Sequence, residues 1–324
     1  MYVKFRFSSF FISNIDIFIT FVVNIPYSCS PMKTYRKFLS VMALALALPA
    51  VAEGPYYSDI KNPVQLKEFF KYSPDRAVLV SGHRGGMEAG YPENCIESFG
   101  HTLDMMPSFF EIDPRLTADS VIVLMHDKNI DRTTTGKGLV GQYTYDELLK
   151  FNLVDHKGDI TPYKIPTLDD CIKWSQGKTV LNLDIKDVPV EVMARYIKER
   201  HPENLIYTVW NPEQMLQYCE LDPNATFSIW CRSPKDYEAY TKANIPWNKV
   251  MVAYVGPSMK PEHEQMYRSL HGHGVMCMIS VAPTHDRCYN DWCKTQGYKQ
   301  ELATPMRPDI VETDYPYLFV GLQK

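Results

Sequence analysis

Nine short apolar runs, separated by longer amphipathic or polar segments, dominate the chain after residue 76. Most of their positions are apolar in succession rather than in alternation, which is typical of strands that are buried on both faces. Such strands, alternating with helical segments, indicate a parallel sheet built from βα units. The nine runs are residues 77–80, 109–112, 121–125, 180–185, 205–209, 226–230, 250–255, 275–279 and 310–312.

This alternation predicts an α/β fold, a TIM (β/α)8 barrel. A closed barrel of this kind has eight strands, so one run is surplus. We expect residues 250–255 to be that run, associated with a loop, and residues 121–125 to form the third barrel strand. The chain has 324 residues and is 45% hydrophobic, which is enough for one large domain.

Capping residues place four helices between the runs. Gly136, Gly138 and Gly141 then punctuate the stretch that follows residue 126. We interpret that stretch as a small irregular insertion after strand three, lying over the barrel mouth. The predicted helices are residues 93–103, 145–151 with Thr144 and Glu147 as a capping box, 167–174 and 190–199.

The first 52 residues are predicted to be a leader. Basic residues follow Met32, an apolar stretch covers residues 38–49, and Ala50-Val51-Ala52 comes next. This order of charged, apolar and small residues is that of a secretory signal peptide. We therefore expect a signal peptide at residues 32–52 and export to the periplasm or the cell exterior.

Cleavage after Ala52 would leave residues 53–324 as a single domain with no stable membrane span. Residues 1–31 are poorly ordered for a signal, so we expect translation to start at Met32. A retained anchor at residues 12–25 is the alternative, although that stretch is short for a bilayer span.

The net charge of the chain bears on its binding partners. A net charge of -4 gives no sequence-wide basic field, so binding to nucleic acid through many phosphate contacts is not favoured. The expected partner, a small-molecule phosphodiester substrate, follows instead from the polar residues at the strand ends. Of eight cysteines, loss of Cys29 with the leader leaves seven, which cannot all pair within one chain. Cys288 and Cys293 are close enough to form a disulfide, and buried free thiols are the alternative. The sequence does not indicate an oligomeric state.

Polar side chains stand at the ends of the first four runs. In a parallel barrel these ends meet on one face, and residues two apart on a strand point the same way. We therefore expect three carboxylates, two histidines and two cations around one pocket. They are His83 and Arg84, Glu111 and Asp113, His126, and Asp184 and Lys186.

This set suits phosphodiester hydrolysis. The oxygen ligands Glu111, Asp113 and Asp184 favour a hard divalent cation, Mg²⁺ or Ca²⁺, over zinc. Two histidines on opposite sides of a phosphorus atom can act as general base and general acid. The catalytic candidates are His83 and His126, and the substrate-binding candidates are Arg84 and Lys186.

Structural roles are the alternative for each residue. Glu111 and Asp113 could form a polar layer of the barrel that is neutralised by the two cations. Trp210 and Trp230, each at the end of a run, could line the pocket or merely cover the core. Local hydrogen bonds of the Gly-rich stretch are the expected role of Asp127, Asp131 and Arg132.

At these residues the sequence resembles the glycerophosphodiester phosphodiesterase family. The resemblance implies a TIM barrel that hydrolyses glycerophosphodiesters to glycerol 3-phosphate and an alcohol. It also implies a metal ion at the three carboxylates and catalysis by the two histidines. The matching motifs are His83-Arg84-Gly85, Pro92-Glu93-Asn94, Glu111-Ile112-Asp113, Leu116-Thr117, His126-Asp127, Arg132-Thr133-Thr134, Gly138, Pro166-Thr167-Leu168, Asp184-Ile185-Lys186 and Thr313-Asp314-Tyr315-Pro316.

Three departures from the family pattern affect what it implies. Asp184 stands where the family usually has Glu, and residues 209–210 and 278–281 differ on the side expected to shape the headgroup pocket. Two other functions therefore stay open. One is a phospholipase D-like or phosphoinositide-type phosphodiesterase on a related barrel, and the other is a non-catalytic binding barrel.

Overall fold

The computed structural model describes residues 55–323, where eight parallel strands form a closed barrel. This confirms the predicted TIM-type fold. The barrel strands, in order around the barrel, are β1 (Leu79–Gly82), β2 (Phe109–Ile112), β5 (Leu181–Leu183), β6 (Leu205–Val209), β7 (Phe227–Trp230), β8 (Val250–Gly256), β9 (Met276–Ser280) and β10 (Ile310–Thr313). Parallel pairing of β1 with β10 closes the ring.

Two further strands, β3 (Pro114–Leu116) and β4 (Ile122–Leu124), form an antiparallel pair outside the barrel. The prediction that residues 121–125 form the third barrel strand was therefore wrong. The prediction that residues 250–255 are a surplus, loop-associated run was also wrong, because β8 pairs with both β7 and β9 in the barrel. The link between β3 and β4 is too short for the helical crossover that parallel strands need.

The extra segment therefore follows the second barrel strand, and an insertion after a third barrel strand is not confirmed. β3, β4 and the loops that follow them lie between β2 and β5 in the chain. Their apolar residues, among them Val123, Met125 and Ile130, pack into a small core of their own.

The helices begin at residues that cap their first turn. Thr144 and Glu147 form the predicted capping box, and Thr167 accepts a hydrogen bond from the backbone of Asp170. The helices are α1 (Pro63–Phe69), α2 (Ile96–Met105), α3 (Tyr145–Leu148), α4 (Leu168–Ser175), α5 (Val190–Arg200), α6 (Pro212–Leu221), α7 (Pro234–Lys242), α8 (Glu264–Gly272) and α9 (Asp291–Leu302). Short 3-10 turns cover His83–Gly85, Val140–Gln142, Trp247–Lys249, Pro261–His263, His285–Arg287 and Pro316–Phe319.

The N-terminal end of the barrel is filled with apolar side chains. Leu66 lies within α1, and Phe70 comes directly after that helix. Both pack with Phe109, Ile206 and Met276 in one buried cluster. Because side chains fill this end, a ligand enters the barrel from the opposite end, where the carboxyl ends of the strands lie.

Cys288 and Cys293 are joined in a disulfide, with their Cα atoms 5.8 Å apart. The predicted leader, with its alternative start at Met32 and its alternative anchor, lies outside the described residues. Among residues 55–323, no helix is both long and apolar enough to cross a membrane.

Candidate active site

The turn after β1 carries His83 and Arg84. Arg84 adopts the left-handed region, with φ 55°, and its backbone N–H donates to Glu111 Oε2 at 3.0 Å. Gly85 has φ 94°, and a Cβ there would lie 2.3 Å from the ring of Phe99. Only glycine fits this position, so the turn is held tightly over the end of the barrel.

The three predicted metal ligands come together at the ends of β2 and β5. One carboxylate oxygen from each of Glu111, Asp113 and Asp184 lies within 4.8 Å of the other two. Asp113 is fully buried, and within residues 55–323 the Oδ1 atoms of both aspartates have no hydrogen-bond partner. Buried carboxylates this close are costly unless a cation neutralises them, and an all-oxygen set suits a hard divalent ion. The cluster can therefore hold a metal ion.

Both predicted substrate-binding cations face this cluster. Lys186 Nζ lies 2.6 Å from Asp184 Oδ2 and 2.9 Å from Asp113 Oδ1, although the second contact lacks hydrogen-bond geometry. Arg84 Nη1 donates to Glu93 Oε1 at 3.1 Å, and its Nε lies 3.7 Å from Asp113 Oδ2. Burial opposes the charge of Lys186, but the nearby aspartates outweigh it and raise its pKa, so the lysine stays protonated.

The carboxylates of the cluster differ in acidity. Burial, reinforced by the charge of Asp113, raises the pKa of Glu111 well above its ordinary value. Burial also acts on Asp113, but the charges of Lys186 and Arg84 outweigh it and lower the pKa of that group. Of these two carboxyls, Glu111 therefore holds a proton more strongly. A cation entering the cluster would compete with that proton.

Each histidine has a carboxylate on its Nδ1 atom. His83 Nδ1 lies 2.6 Å from Asp314 Oδ1, and His126 Nδ1 lies 2.8 Å from Asp127 Oδ1. Such contacts fix the ring orientation and leave Nε2 available to a substrate. Nε2 of His83 is 4.0 Å from Glu111 Oε2. His126 follows β4, outside the barrel, and is close enough for the charge of Asp113 to act on it.

The two histidines differ in basicity. Burial would lower the pKa of His83, but the hydrogen bond to Asp314 and the charge of Glu111 outweigh it and raise that pKa to about 10. For His126, burial is the largest effect, and it lowers the pKa. A cation that neutralises the carboxylate cluster would weaken the attraction to Glu111 that helps to raise the pKa of His83.

These observations agree with the comparisons to known proteins. Residues 83–279 match the model of the Glycerophosphoryl diester phosphodiesterase family. This chain belongs to that family. It is therefore an enzyme, a phosphoric diester hydrolase of the glycerophosphodiester phosphodiesterase class.

The chain is similar over most of its length to individual members of this family. It is 41% identical to a glycerophosphoryl diester phosphodiesterase from Parabacteroides distasonis, with a TM-score of 0.79 over 83% of this chain and 95% of that chain. A glycerophosphodiester phosphodiesterase from Bacillus subtilis is 25% identical over 263 residues, 74% of this chain and 86% of the relative. The Agrobacterium tumefaciens enzyme shares the fold, at 18% identity and a TM-score of 0.60 over 75% of this chain and 99% of that one.

Sequence reasoning missed a carboxylate that connects the two sides of the site. Glu93 is buried and accepts hydrogen bonds from Arg84 and from both Nη atoms of Arg132, at 2.6 and 2.8 Å. Arg132 Nε also donates to Asp127 Oδ2 at 2.7 Å. Asp127 and Arg132 therefore hold the loop locally, as expected, and also position His126.

Three more polar residues were given no role from the sequence. Asn94 Nδ2 donates to Asp113 Oδ2 at 2.6 Å, and Asp314 contacts His83. Glu312 is a buried acid that follows the apolar pair Ile310-Val311 near the end of β10. An acidic residue at or near the carboxyl end of a barrel strand was the signal that could have identified Asp314 and Glu312.

A cavity of about 150 Å³ lies beside the carboxylate cluster, inside the barrel. Seven of the eight barrel strands contribute a polar side chain to its wall. Those residues are Glu111, Asn182, Thr208, Ser228, Tyr254, Ser280 and Glu312. Trp230 also lines this cavity and stacks on Trp210, with ring centroids 4.0 Å apart. Trp230 therefore lines a cavity rather than only covering the core, and Trp210 packs against it.

Proposed function

We propose that this enzyme hydrolyses glycerophosphodiesters to glycerol 3-phosphate and an alcohol, with Mg²⁺ or Ca²⁺ bound by Glu111, Asp113 and Asp184. One observation carries the proposal. Two histidines, each oriented by a carboxylate at Nδ1, lie beside a buried cluster of oxygen ligands, two of whose oxygens accept no hydrogen bond from the described residues. That arrangement supplies proton transfer and charge neutralisation at one point.

In the proposed reaction, His83 and His126 exchange protons with the attacking hydroxyl and the leaving alcohol, one as general base and the other as general acid. The attacking group is the neighbouring hydroxyl of the glycerol arm, and water then opens the resulting cyclic phosphate. A bound divalent cation would supply positive charge to a phosphoryl oxygen. The carboxylates on Nδ1 hold both rings so that Nε2 faces the substrate.

Arg84 and Lys186 are the proposed cationic contacts of the phosphate. Lys186 stays charged because it faces Asp113 and Asp184. Among the residues that the structure describes, Arg84 Nε has no hydrogen-bond partner, although it is buried. An unpaired guanidinium donor beside the cluster suits an anionic oxygen of the substrate.

We also propose that the enzyme acts in the periplasm or outside the cell. The support is the order of residues in the leader and the disulfide between Cys288 and Cys293, since such bonds persist in oxidising compartments.

The purified enzyme should release glycerol 3-phosphate and choline from glycerophosphocholine. A chelator should abolish the release, and added Mg²⁺ or Ca²⁺ should restore it. Faster hydrolysis of lysophosphatidylcholine than of glycerophosphocholine would favour the phospholipase D-like alternative. If no diester is hydrolysed with either metal present, the alternative of a non-catalytic binding barrel would be favoured.

A further inference from the structure

The side chain of Glu312 lies in the cavity with hydroxyl partners rather than a lysine or arginine. It is 7% exposed, and its partners are the hydroxyls of Ser81, at 3.3 Å from Oε2, and Ser280. No lysine or arginine forms a salt bridge with it among residues 55–323. The charge of His83 offsets part of the cost of burying Glu312, whereas Asp184 and Glu111 add negative charge nearby. A buried carboxylate in such surroundings is unfavourable unless a ligand donates hydrogen bonds to it.

A second polar group in the same cavity lacks a hydrogen-bond partner within the described part of the chain. Ser228 is 1% exposed, and its Oγ forms no hydrogen bond with any residue between 55 and 323. Below this level the barrel is filled by the apolar cluster that includes Phe109, Ile206 and Met276. The cavity is therefore a polar well with a closed floor, and two of its side chains offer hydrogen bonds to whatever enters.

The size and chemistry of the well fit a small group that carries hydroxyls. A volume of about 150 Å³ has no room for an acyl chain, and a hydroxyl can donate to Glu312 while exchanging a hydrogen bond with Ser228. A quaternary ammonium group has no N–H to donate. The glycerol arm of the substrate meets these requirements.

The other ester arm has a separate space. A cavity of about 410 Å³ shares Trp230 with the well and is bounded by Trp210, Arg232 and Lys260. Trp210 is 45% exposed, so this space opens at the barrel mouth. A phosphodiester with its glycerol arm in the closed well would direct its variable alcohol towards this open space.

We propose, building on the function proposed above, that Glu312 binds the distal hydroxyl of the glycerol arm and makes the enzyme specific for glycerol whose hydroxyls are free. Deacylated glycerophosphodiesters then enter the well. Lysophospholipids do not, because an acyl group on the distal oxygen removes the hydrogen that Glu312 accepts and exceeds the space.

The test compares two substrates in four proteins. Glycerophosphocholine carries the distal hydroxyl, and the phosphocholine ester of propane-1,2-diol lacks it but keeps the attacking hydroxyl. For the wild type, kcat/KM should fall by about tenfold to a hundredfold between them, as expected for loss of a charged hydrogen bond. In Glu312→Gln the ratio should shrink, and in Glu312→Leu it should approach one. Glu220→Gln, on the exposed surface, should keep the wild-type ratio.

Three further measurements complete the test. Lysophosphatidylcholine should be a poor substrate for the wild type. This measurement needs no variant, so it does not depend on whether a variant folds. The preference between glycerophosphocholine and glycerophosphoethanolamine should not change in Glu312→Gln. The Mg²⁺ and Ca²⁺ concentrations for half-maximal activity should also stay unchanged in that variant.

Several outcomes would overturn the inference. They are equal rates for the two choline esters in the wild type, an unaltered ratio in both Glu312 variants, or comparable hydrolysis of lysophosphatidylcholine. A changed headgroup preference would place the variable arm in the well, and weaker metal dependence would make Glu312 a ligand. In each case glycerophosphocholine is still hydrolysed, so the proposed function stands. If the wild type hydrolyses no diester, both proposals fail.

Discussion

Asp314, directly after the last barrel strand, contacts His83, directly after the first, with 2.6 Å between Oδ1 and Nδ1. The carboxylate is itself held in place, because the backbone N–H of Asp314 donates to Asp286 Oδ2 at 2.7 Å. Asp286 also accepts a hydrogen bond from the hydroxyl of Thr313 at 2.8 Å. The seam that closes the barrel therefore also orients one of the two proposed catalytic histidines.

Asp314→Asn should lower kcat at least about tenfold with little change in KM, because the imidazole loses the charge that orients it and stabilises its protonated form. The pKa of His83 should fall in this variant. The limb of the pH–rate profile that belongs to His83 should consequently move to lower pH. Steady-state kinetics across pH would check this. An unchanged profile with reduced kcat would reduce Asp314 to a structural role.

The same pair should make stability depend on pH in the metal-free enzyme. The pKa of His83 is raised from 6.5 to about 10, so its protonated pairing with Asp314 stabilises the fold fully below pH 6.5. That contribution is lost as pH rises through about 10. Thermal melts of wild type and Asp314→Asn, taken with chelator present, should differ most near pH 6.5 and converge towards pH 10. A gap that widens with pH would contradict this.

His83→Ala and His126→Ala should each lower turnover by about a hundredfold or more, since general acid or base groups typically contribute that much. The fold should persist, because each side chain lies at the barrel mouth rather than in the apolar core. Circular dichroism and melting temperatures would verify folding. His156→Ala, an exposed histidine, should behave as wild type. Wild-type activity in either catalytic variant would remove that histidine from the mechanism.

The sequence predicted what depends on local pattern. β2 and β6 begin and end at the predicted residues, because strands buried on both faces are continuously apolar. Glu111 and Asp184 were expected to approach each other because parallel strands end on one face, and they do.

Long-range partners were not predictable in the same way. His83 and Asp314 are 231 residues apart, and no local pattern connects them. Glu93 interacts with Arg84 and Arg132 only because the chain folds back between them. The strand count failed for another reason: apolar content alone does not distinguish a barrel strand from one in a side hairpin, and the short link before residue 122 was the available signal.

The mature protein should begin at Glu53, because Ala50-Val51-Ala52 follows an apolar stretch in the order of a signal peptidase site. N-terminal sequencing of exported material would determine this. Replacing Ala52 with a bulky residue, Ala52→Leu, should leave the leader attached. A membrane-bound chain that retains Met1 would exclude the prediction.

Asp184 is the residue at which this enzyme departs from the expected family pattern, and its short side chain still reaches within 4.8 Å of the other two ligand oxygens. Asp184→Asn removes one negative charge from the cluster and should weaken metal binding, so activity should recover partly at higher Mg²⁺ or Ca²⁺. Asp184→Glu keeps the charge and should preserve activity or improve it.

Stability measurements separate this role from that of a simple ion-pair partner. Lys186 contacts Asp113 as well as Asp184, so Asp184→Asn does not leave its ammonium unpaired. We therefore expect a small change in melting temperature together with metal rescue of activity. If Asp184 served only Lys186, added metal would not restore activity, and whatever melting temperature the variant loses would stay lost with metal present. Thermal melts and activity titrations against both ions, in Asp184→Asn and Asp184→Glu, distinguish the two roles.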